Sequence, residues 1–296
     1  MADAAPTAPT ALSTSLAGIG FELNGYLRGV LYAGKQNGRD ATEVKAGYGE
    51  AALKLRARKG SWGDAYGELR FRTGLLDREV QHQLDLREAY VNAYLGPVDV
   101  RLGHQIIVWG RADAVNPTNN LTPRDMRVRS PVEDDARLGN LALRAHLNLE
   151  PFRWELVWVP FFAPSHFPRF ELPGGISLGQ PDYPDANIKH GTLATRAHFL
   201  WPAFELSVSY LIGSSTFPGI KLLQVAPSPA GGLPLTSVAF TTYRHHVAGG
   251  DFSTTIGSFG VRGEVALRWP IDHQDAAYKP MPDLQYVVGL DHEFFH

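Results

Sequence analysis

The chain has no cysteine among its 296 residues and only 3 methionines. Disulfides, thiolate nucleophiles and cysteine-based zinc sites are therefore excluded. Long apolar runs are missing as well. No stretch reaches the roughly 18 consecutive apolar residues that a transmembrane helix needs, and none carries a clean apolar stripe at helical spacing. A basic excess is also absent: 28 Lys and Arg face 30 Asp and Glu, for a net charge of −2. That balance argues against a general nucleic-acid binder, and no nucleic acid is expected as a partner. There is no nucleophile elbow, no His-Glu-x-x-His and no phosphate-binding loop. No cofactor and no metal are expected, and the chain is read as no enzyme.

What the chain does contain points to β-structure. There are 30 Gly, 15 Phe, 11 Tyr and 6 Trp, a composition of strands and turns. A hydrophobic share of 44% suits a soluble protein. It suits a membrane barrel equally well, because alternating strands average apolar and polar residues. The first ten residues are small, polar and Pro-containing, without the basic head and apolar middle of a secretory signal. Residues 1–17 are expected to be a disordered lead, or the start of a mature chain whose export signal is not in this sequence. Residues 18–296 are expected to form one barrel domain.

About a dozen segments alternate with period two, which sends successive side chains to opposite faces. Val98, Val100 and Leu102 oppose Asp99 and Arg101, and on the returning segment Leu141, Leu143, Ala145, Leu147 and Leu149 oppose Asn140, Arg144, His146 and Asn148. The same pattern recurs at 21–31, 51–58, 64–73, 88–95, 152–159, 193–201, 204–212, 259–269 and 284–294. A further segment, 238–247, is ambiguous in its facing. Phe259 to Trp269 gives about 33 Å of strand at roughly 3.3 Å per residue. Tilted near 40°, that spans on the order of 25 Å, the height of the apolar band of an outer-membrane barrel. Trp154, Trp158, Phe199, Trp201, Phe204 and Tyr210 fall near strand ends, where aromatic girdles sit.

The connections alternate too. Short turns are expected at 59–61, 96–97, 150–151, 202–203 and 249–251, and long loops at 34–49, 74–86, 110–139, 160–191, 213–236 and 270–283. Short turns on one rim and long loops on the other is the layout of an outer-membrane barrel. The expected fold is therefore all-β: an antiparallel up-and-down transmembrane β-barrel of about 12 strands, both termini periplasmic. A piece of a larger barrel is left open.

If the apolar face meets lipid, the other face lines a lumen. Its expected pore-lining residues are Arg28, Lys54, Arg56, Arg58, Glu68, Arg70, Arg72, Glu88, Arg101, Gln105, Trp109, Arg144, Arg196, Arg262 and Glu264. Glu22, Asp64, Asp99, Arg153, Glu155 and Glu205 share that face. Lys54, Arg56, Arg58, Arg70 and Arg72 gather with few acids, which favours anions. The alternative is a ladder of salt bridges that only stiffens the wall. The segment after Gly110 is dense in Pro, Asn and Asp and suits a compact loop. It is expected to narrow the barrel mouth through Arg111, Asp113, Asn116, Asn119, Asn120, Arg124 and Asp125, or else to lie exposed without a gating role.

Gly103-His104-Gln105, then Trp109-Gly110-Arg111-Ala112-Asp113, then Asn116-Pro117-Thr118-Asn119-Asn120-Leu121-Thr122-Pro123-Arg124-Asp125 resembles an uncharacterised family of proteobacterial outer-membrane porin-like proteins. In that family a Gly-Lys/Arg-Gln strand ends in Trp-Gly and runs into an Asn-Pro loop; here His104 stands at the basic position. The resemblance implies a channel or export-associated barrel in the outer membrane of a Gram-negative bacterium. Relatives are usually longer. The function expected is passive diffusion of small solutes, with a lean toward anions. The alternatives are a barrel enzyme of lipase or protease type, or an adhesion or export-associated barrel. Expected partners are membrane lipid and lipopolysaccharide and a small solute, with a homo-oligomer or an export partner as further options. His245-His246 is expected as a rim pair, and the loop acids Asp182, Asp185, Asp272 and Asp275 as solvated groups.

Overall fold

The computed structural model describes the chain except residues 1–11, 17, 36–40, 113–115, 169–171, 173, 228–233, 272, 274–278 and 293–296. The main sheet uses β1 (Leu12–Leu16), β2 (Ile19–Lys35), β3 (Thr42–Lys59), β4 (Gly63–Leu76), β5 (Glu79–Leu95), β6 (Val98–Gln105), β7 (Asn140–Leu149) and β8 (Phe152–Val159). It continues through β10 (Thr192–Trp201), β11 (Phe204–Ser214), β14 (Arg244–Ile256), β15 (Phe259–Pro270) and β16 (Asp283–His292). These 13 strands are hydrogen-bonded in chain order. All their pairings are antiparallel. That is the up-and-down barrel order; among the described residues the sheet is not closed between β1 and β16. A separate sheet of three strands joins β9 (Ile176–Leu178), β12 (Gly219–Ala226) and β13 (Leu235–Thr241).

The two faces of the main sheet are inverted relative to a soluble protein. Leu27 is 85% exposed and Leu31 72%, whereas Glu50 is 3% exposed, Glu155 1% and Glu264 4%. Trp154, Trp158, Trp201, Val265 and Leu267 lie on the exposed apolar face as well. A water-soluble fold buries its leucines and solvates its glutamates; this sheet does the reverse. No described helix is long and apolar enough to cross a membrane, which says nothing about crossing by strands.

β7 and β8 occupy the stretches that strict alternation marks, turning at Glu150-Pro151. The structure departs from the sequence reading in several places: residues 42–49 of the expected loop 34–49 belong to β3, and the expected loops 160–191 and 213–236 hold β9 and β12. Leu12–Leu16, inside the expected lead, pairs with β2 as β1; residues 1–11 and 17 of that stretch lie outside the described residues. The expected loop over 74–86 is strand except for a two-residue turn, Asp77-Arg78, with φ of 48° and 69°. Positive φ at both central residues is the primed hairpin turn whose twist matches its strands. The expected strand 238–247 is two pieces of different sheets: β13 ends at Thr241 and β14 starts at Arg244. The expected turn at Gly249-Gly250-Asp251 lies inside β14, which turns instead at Gly257 and Ser258. A glycine pair reads as a turn by composition, but here each glycine sits in the ladder, opposite Ser209 and Val208. With these changes the alternation of the rims breaks after β4, where the long-loop side carries only the two-residue turn, and holds from β5 onward. Short turns follow β3, β5, β7, β10 and β14, and the connections after β6, β8, β11 and β15 are long.

Candidate functional site: a loop pinned across the charged face

The connection from Ile106 to Gly139 leaves β6 and folds onto the charged face of the sheet. It holds there first by apolar contact. Ile107, Trp109 and Leu121 form one buried cluster with Ala142, Val157, Ala194, Leu211, Val247 and Ala266. Those strand positions are inward-facing and mostly small, so the backbone of the connection can lie close to the wall. Gln105 is buried and donates to the Ala142 carbonyl at 2.8 Å. Trp109 donates its indole N–H to Glu155 at 3.2 Å. Both residues are taken up in anchoring the loop.

Two carboxylates then fix its ends. Glu264 on β15 accepts from the amides of Arg111 (3.1 Å), Ala112 (3.2 Å) and Thr118 (2.7 Å) and from the Thr118 hydroxyl (2.8 Å). Gly110 makes that approach possible. It has φ +93°, and a Cβ there would lie 2.5 Å from Glu264 Oε2. At the other end Asp135, in a 3-10 turn over Glu133–Ala136, accepts from Arg28 on β2 at 2.6 Å and from Arg70 on β4 at 2.8 Å. One connection thus bonds to β2 and to β15, strands near opposite ends of the sheet order. The sheet must curl around the loop for both contacts to exist.

Around these anchors the charged residues are largely paired. Glu50 is bound by Arg28 (2.8 Å), by Arg72 and by the Tyr26 hydroxyl (2.6 Å). Glu68 accepts from Arg70 at 2.7 Å and from Tyr66 at 2.7 Å. Arg144 binds Glu155 at 2.6 Å, with His146 and His198 at 3.8 and 3.7 Å. Arg196 donates to Asp251 at 2.5 Å and to Ser207 at 2.8 Å, and Arg111 donates to the same Asp251 at 2.8 Å and also pairs with Glu205. Glu88 accepts the Ile106 amide at 2.9 Å, and Arg262 pairs with Asp291.

Arg70 and Arg72, expected as part of a free basic group, are neutralised in this buried network. The more loosely held cations lie nearer the short turns. Arg56 sits over the Tyr66 ring at 5.7 Å. Arg101 sits over Tyr90 at 4.0 Å while donating to Asn92 at 2.8 Å. Lys54 is 3.7 Å from Glu68, and the exposed Arg58 is 3.9 Å from Asp64.

Within the loop, Asn116 accepts the Asn119 amide at 3.2 Å, Asn120 donates to the Pro117 carbonyl at 2.8 Å and Arg124 binds Glu133 at 2.9 Å. Asn119 Oδ1 is buried without a hydrogen-bond partner among the described residues. Asp113 lies outside the described residues. Asp125 is clasped by Arg127 at 2.8 and 2.7 Å. Burial pushes the Asp125 carboxyl up, but the bonds from Arg127 and His166 outweigh it and hold it well below the usual carboxylate range. Asp135 follows the same balance: burial raises it, and bonds from Ser130, Arg70 and Arg28 bring it below its ordinary value. A second long connection lies over the first, with His166 N–H donating to the Arg124 carbonyl at 2.8 Å and Met126 N–H to the His166 carbonyl at 2.9 Å.

Asp135 and Arg87 are the functional residues that alternation misses. Asp135 stands in an irregular stretch with no period. Arg87 is the extra residue of a β-bulge, between the pairs Glu68–Glu88 and Leu69–Leu86. The bulge switches the phase of β5, so counting by twos from Glu88 places Arg87 on the wrong face. Of the rim acids and histidines, Asp182 pairs with Lys221 at 2.6 Å, His245 is buried and His246 meets the Tyr210 hydroxyl at 2.5 Å. Asp272 and Asp275 lie outside the described residues. Among the described residues no group of three His, Cys, Asp or Glu is placed to hold a metal ion.

A family model described as "Protein of unknown function (DUF1302)" matches residues 33–156. Among curated proteins nothing matches the chain. Several solved structures resemble it. OmpT, an outer membrane protein of Vibrio cholerae, has a TM-score of 0.45 at 9% identity, covering 92% of this chain and 70% of its own. Salmonella typhi OmpF in complex with daunomycin has a TM-score of 0.41 at 9% identity, covering 96% and 89%. A triple mutant of Rhodopseudomonas blastica porin has a TM-score of 0.36 at 12% identity, covering 93% and 91%. At these scores the likeness adds no weight of its own; the fold rests on the strand order and the inverted faces.

Proposed function

We propose that this chain forms an outer-membrane channel of porin type in a Gram-negative bacterium, passing small solutes by diffusion with a lean toward anions. The observation that carries the reading is the inverted sheet curled around its own loop. Exposed leucines on one face suit hydrocarbon, and buried, paired charge on the other suits a wet interior crossed by a constriction. Lipid and lipopolysaccharide would meet the apolar face. The anion lean comes from Arg56, Arg58, Arg101 and Lys54 on the short-turn side, since the buried arginines are matched by acids.

The enzyme alternative finds less support. Ser207, the inward serine nearest a catalytic arrangement, bonds to Arg196 and Asp251, and among the described residues no histidine hydrogen-bonds it. The test is single-channel recording of the full chain in a planar bilayer under a salt gradient. Discrete ohmic steps with an anion-favouring reversal potential are expected. A chain that inserts and conducts nothing, or prefers cations, would contradict the reading.

A further inference from the structure

The wall is interrupted beside β5. Only Ala89–Leu95 of β5 pairs with β6, whereas residues 79–88, nearer the long connections, have β4 alone as a strand neighbour. β6 ends at Gln105 and β7 begins at Asn140 opposite it. Gly103 permits the departure, with φ +139° and no room for a Cβ, which would lie 2.3 Å from the Ala89 carbonyl oxygen. The edge is approached by His104 of β6, which bonds the Leu86 backbone, and by the returning loop, where Arg87 donates to the Arg137 carbonyl at 3.2 Å and the Asp134 carbonyl at 2.7 Å.

A cavity of about 300 Å³ lies at this edge. It touches both faces of the sheet. Leu84 and Leu86 line it from the outward face, where they pair with Phe71 and Leu69 and stand 71% and 49% exposed. Arg70 and Arg72 line it from the inward face. A single cavity meets both faces of a sheet around an edge, and this one lies at the edge of β5 that β6 leaves unpaired.

We propose that the opening is a lateral portal between the interior and the apolar layer of the membrane, and that it takes a small amphiphile with an apolar tail and a carboxylate head. This rests on the channel reading above. Leu84, Leu86, Leu138 and Pro164 give the cavity apolar lining, while Arg70, Arg72, Arg87 and Arg137 line it together with the acids Asp85 and Asp135. All four arginines already hold carboxylates, Arg137 through its terminal nitrogens to Asp134 at 3.0 Å and Glu133 at 3.4 Å, but Arg137 Nε is buried with no hydrogen-bond partner among the described residues. A buried donor of that kind is satisfied by an acceptor, and a carboxylate supplies one. The tail then lies toward lipid and the head toward water, each in the medium that costs it least. The volume sits at the small end of ligand pockets, which limits the tail to a medium chain.

The test reconstitutes the full chain in vesicles and measures decanoate transfer and chloride conductance side by side. Decanoate is supplied either preloaded in the bilayer or from the aqueous phase, which separates a lipid-borne source from a dissolved one. Ala163→Trp, which fills the cavity from its lining, should slow bilayer-loaded decanoate at least fivefold and leave chloride conductance within twofold. Arg137→Met should weaken decanoate transfer without filling the cavity. Photo-crosslinking by a diazirine-tailed decanoate should label the β5 segment holding Leu84 and Leu86. Unchanged decanoate transfer in both variants, sensitivity only in the aqueous arm, or no label on that segment would overturn the portal while conductance leaves the channel standing. Loss of conductance in the unmodified chain with labelling intact would overturn the channel and keep the binding site.

Discussion

Glu264 on β15 accepts the Thr118 amide at 2.7 Å and the Thr118 hydroxyl at 2.8 Å, across 146 residues of sequence. No other carboxylate described here holds so many backbone donors of the loop. Glu264→Ala removes the acceptor for three amides and a hydroxyl at once. Each charge-assisted bond contributes about 1.5–3 kcal/mol, and the orphaned donors add a desolvation cost unless water replaces the carboxylate. The expected outcome is a larger, noisier unit conductance in planar bilayers with the strand spectrum unchanged. A conductance identical to that of the unmodified chain would show that Glu264 does not hold a constriction.

Asp135→Ala acts at the opposite anchor. Arg28 and Arg70 lose a shared carboxylate, and Arg70 is nearly enclosed. Breaking a buried pair on one side costs on the order of 3–5 kcal/mol where water cannot enter. The melting temperature should fall, and the reversal potential should move further toward anions because one negative charge leaves the face while Arg28 and Arg70 keep only Glu50 and Glu68. A shift toward cations would place Asp135 away from the conducting path.

Low pH should undock the loop. Asp125 and Asp135 both titrate below an ordinary carboxylate in the folded chain. Their contribution is therefore complete above the unfolded value of about 3.9 and is lost as pH falls from there through the folded values. Unit conductance should stay flat from about pH 5 to 8 and change only below about pH 4. A transition centred between pH 6 and 7 would contradict a loop held by these two carboxylates.

How much of this was legible in the residues differs by element. β7 and β8 follow strict alternation between turn residues, and Glu150-Pro151 punctuates them without ambiguity. β14 has no such punctuation, since Gly249 and Gly250 imitate a turn while sitting in the ladder. The loop after Gly110 read as compact from its Pro and Asn content, but its partners did not. Asp135 meets Arg28 across 107 residues, and nothing local encodes that distance. The charge of Arg70 and Arg72 was visible; their neutralisation depends on Glu50, Glu68 and Asp135 arriving at the same place. Alternation tells which face a side chain takes, not which other side chain it meets there.

The anion lean rests on the short-turn side. Arg56→Gln with Arg101→Gln removes the two guanidiniums stacked on Tyr66 and Tyr90 and leaves the loop anchors intact. The anion-to-cation permeability ratio should fall about threefold. An unchanged ratio would assign selectivity to the loop itself.

The account depends above all on which medium the apolar face meets. The chain has no cysteine, so single cysteines placed one by one from Val261 to Arg268 can each carry a spin label. In reconstituted protein, labels at 261, 265 and 267 should be accessible to oxygen dissolved in lipid, and those at 262, 264, 266 and 268 should not, with 263 left out because a side chain there meets the Phe252 ring. Accessibility without that alternation, or the opposite phase with the labels at 265 and 267 shielded from lipid, would contradict the inverted barrel on which the channel and its loop are built.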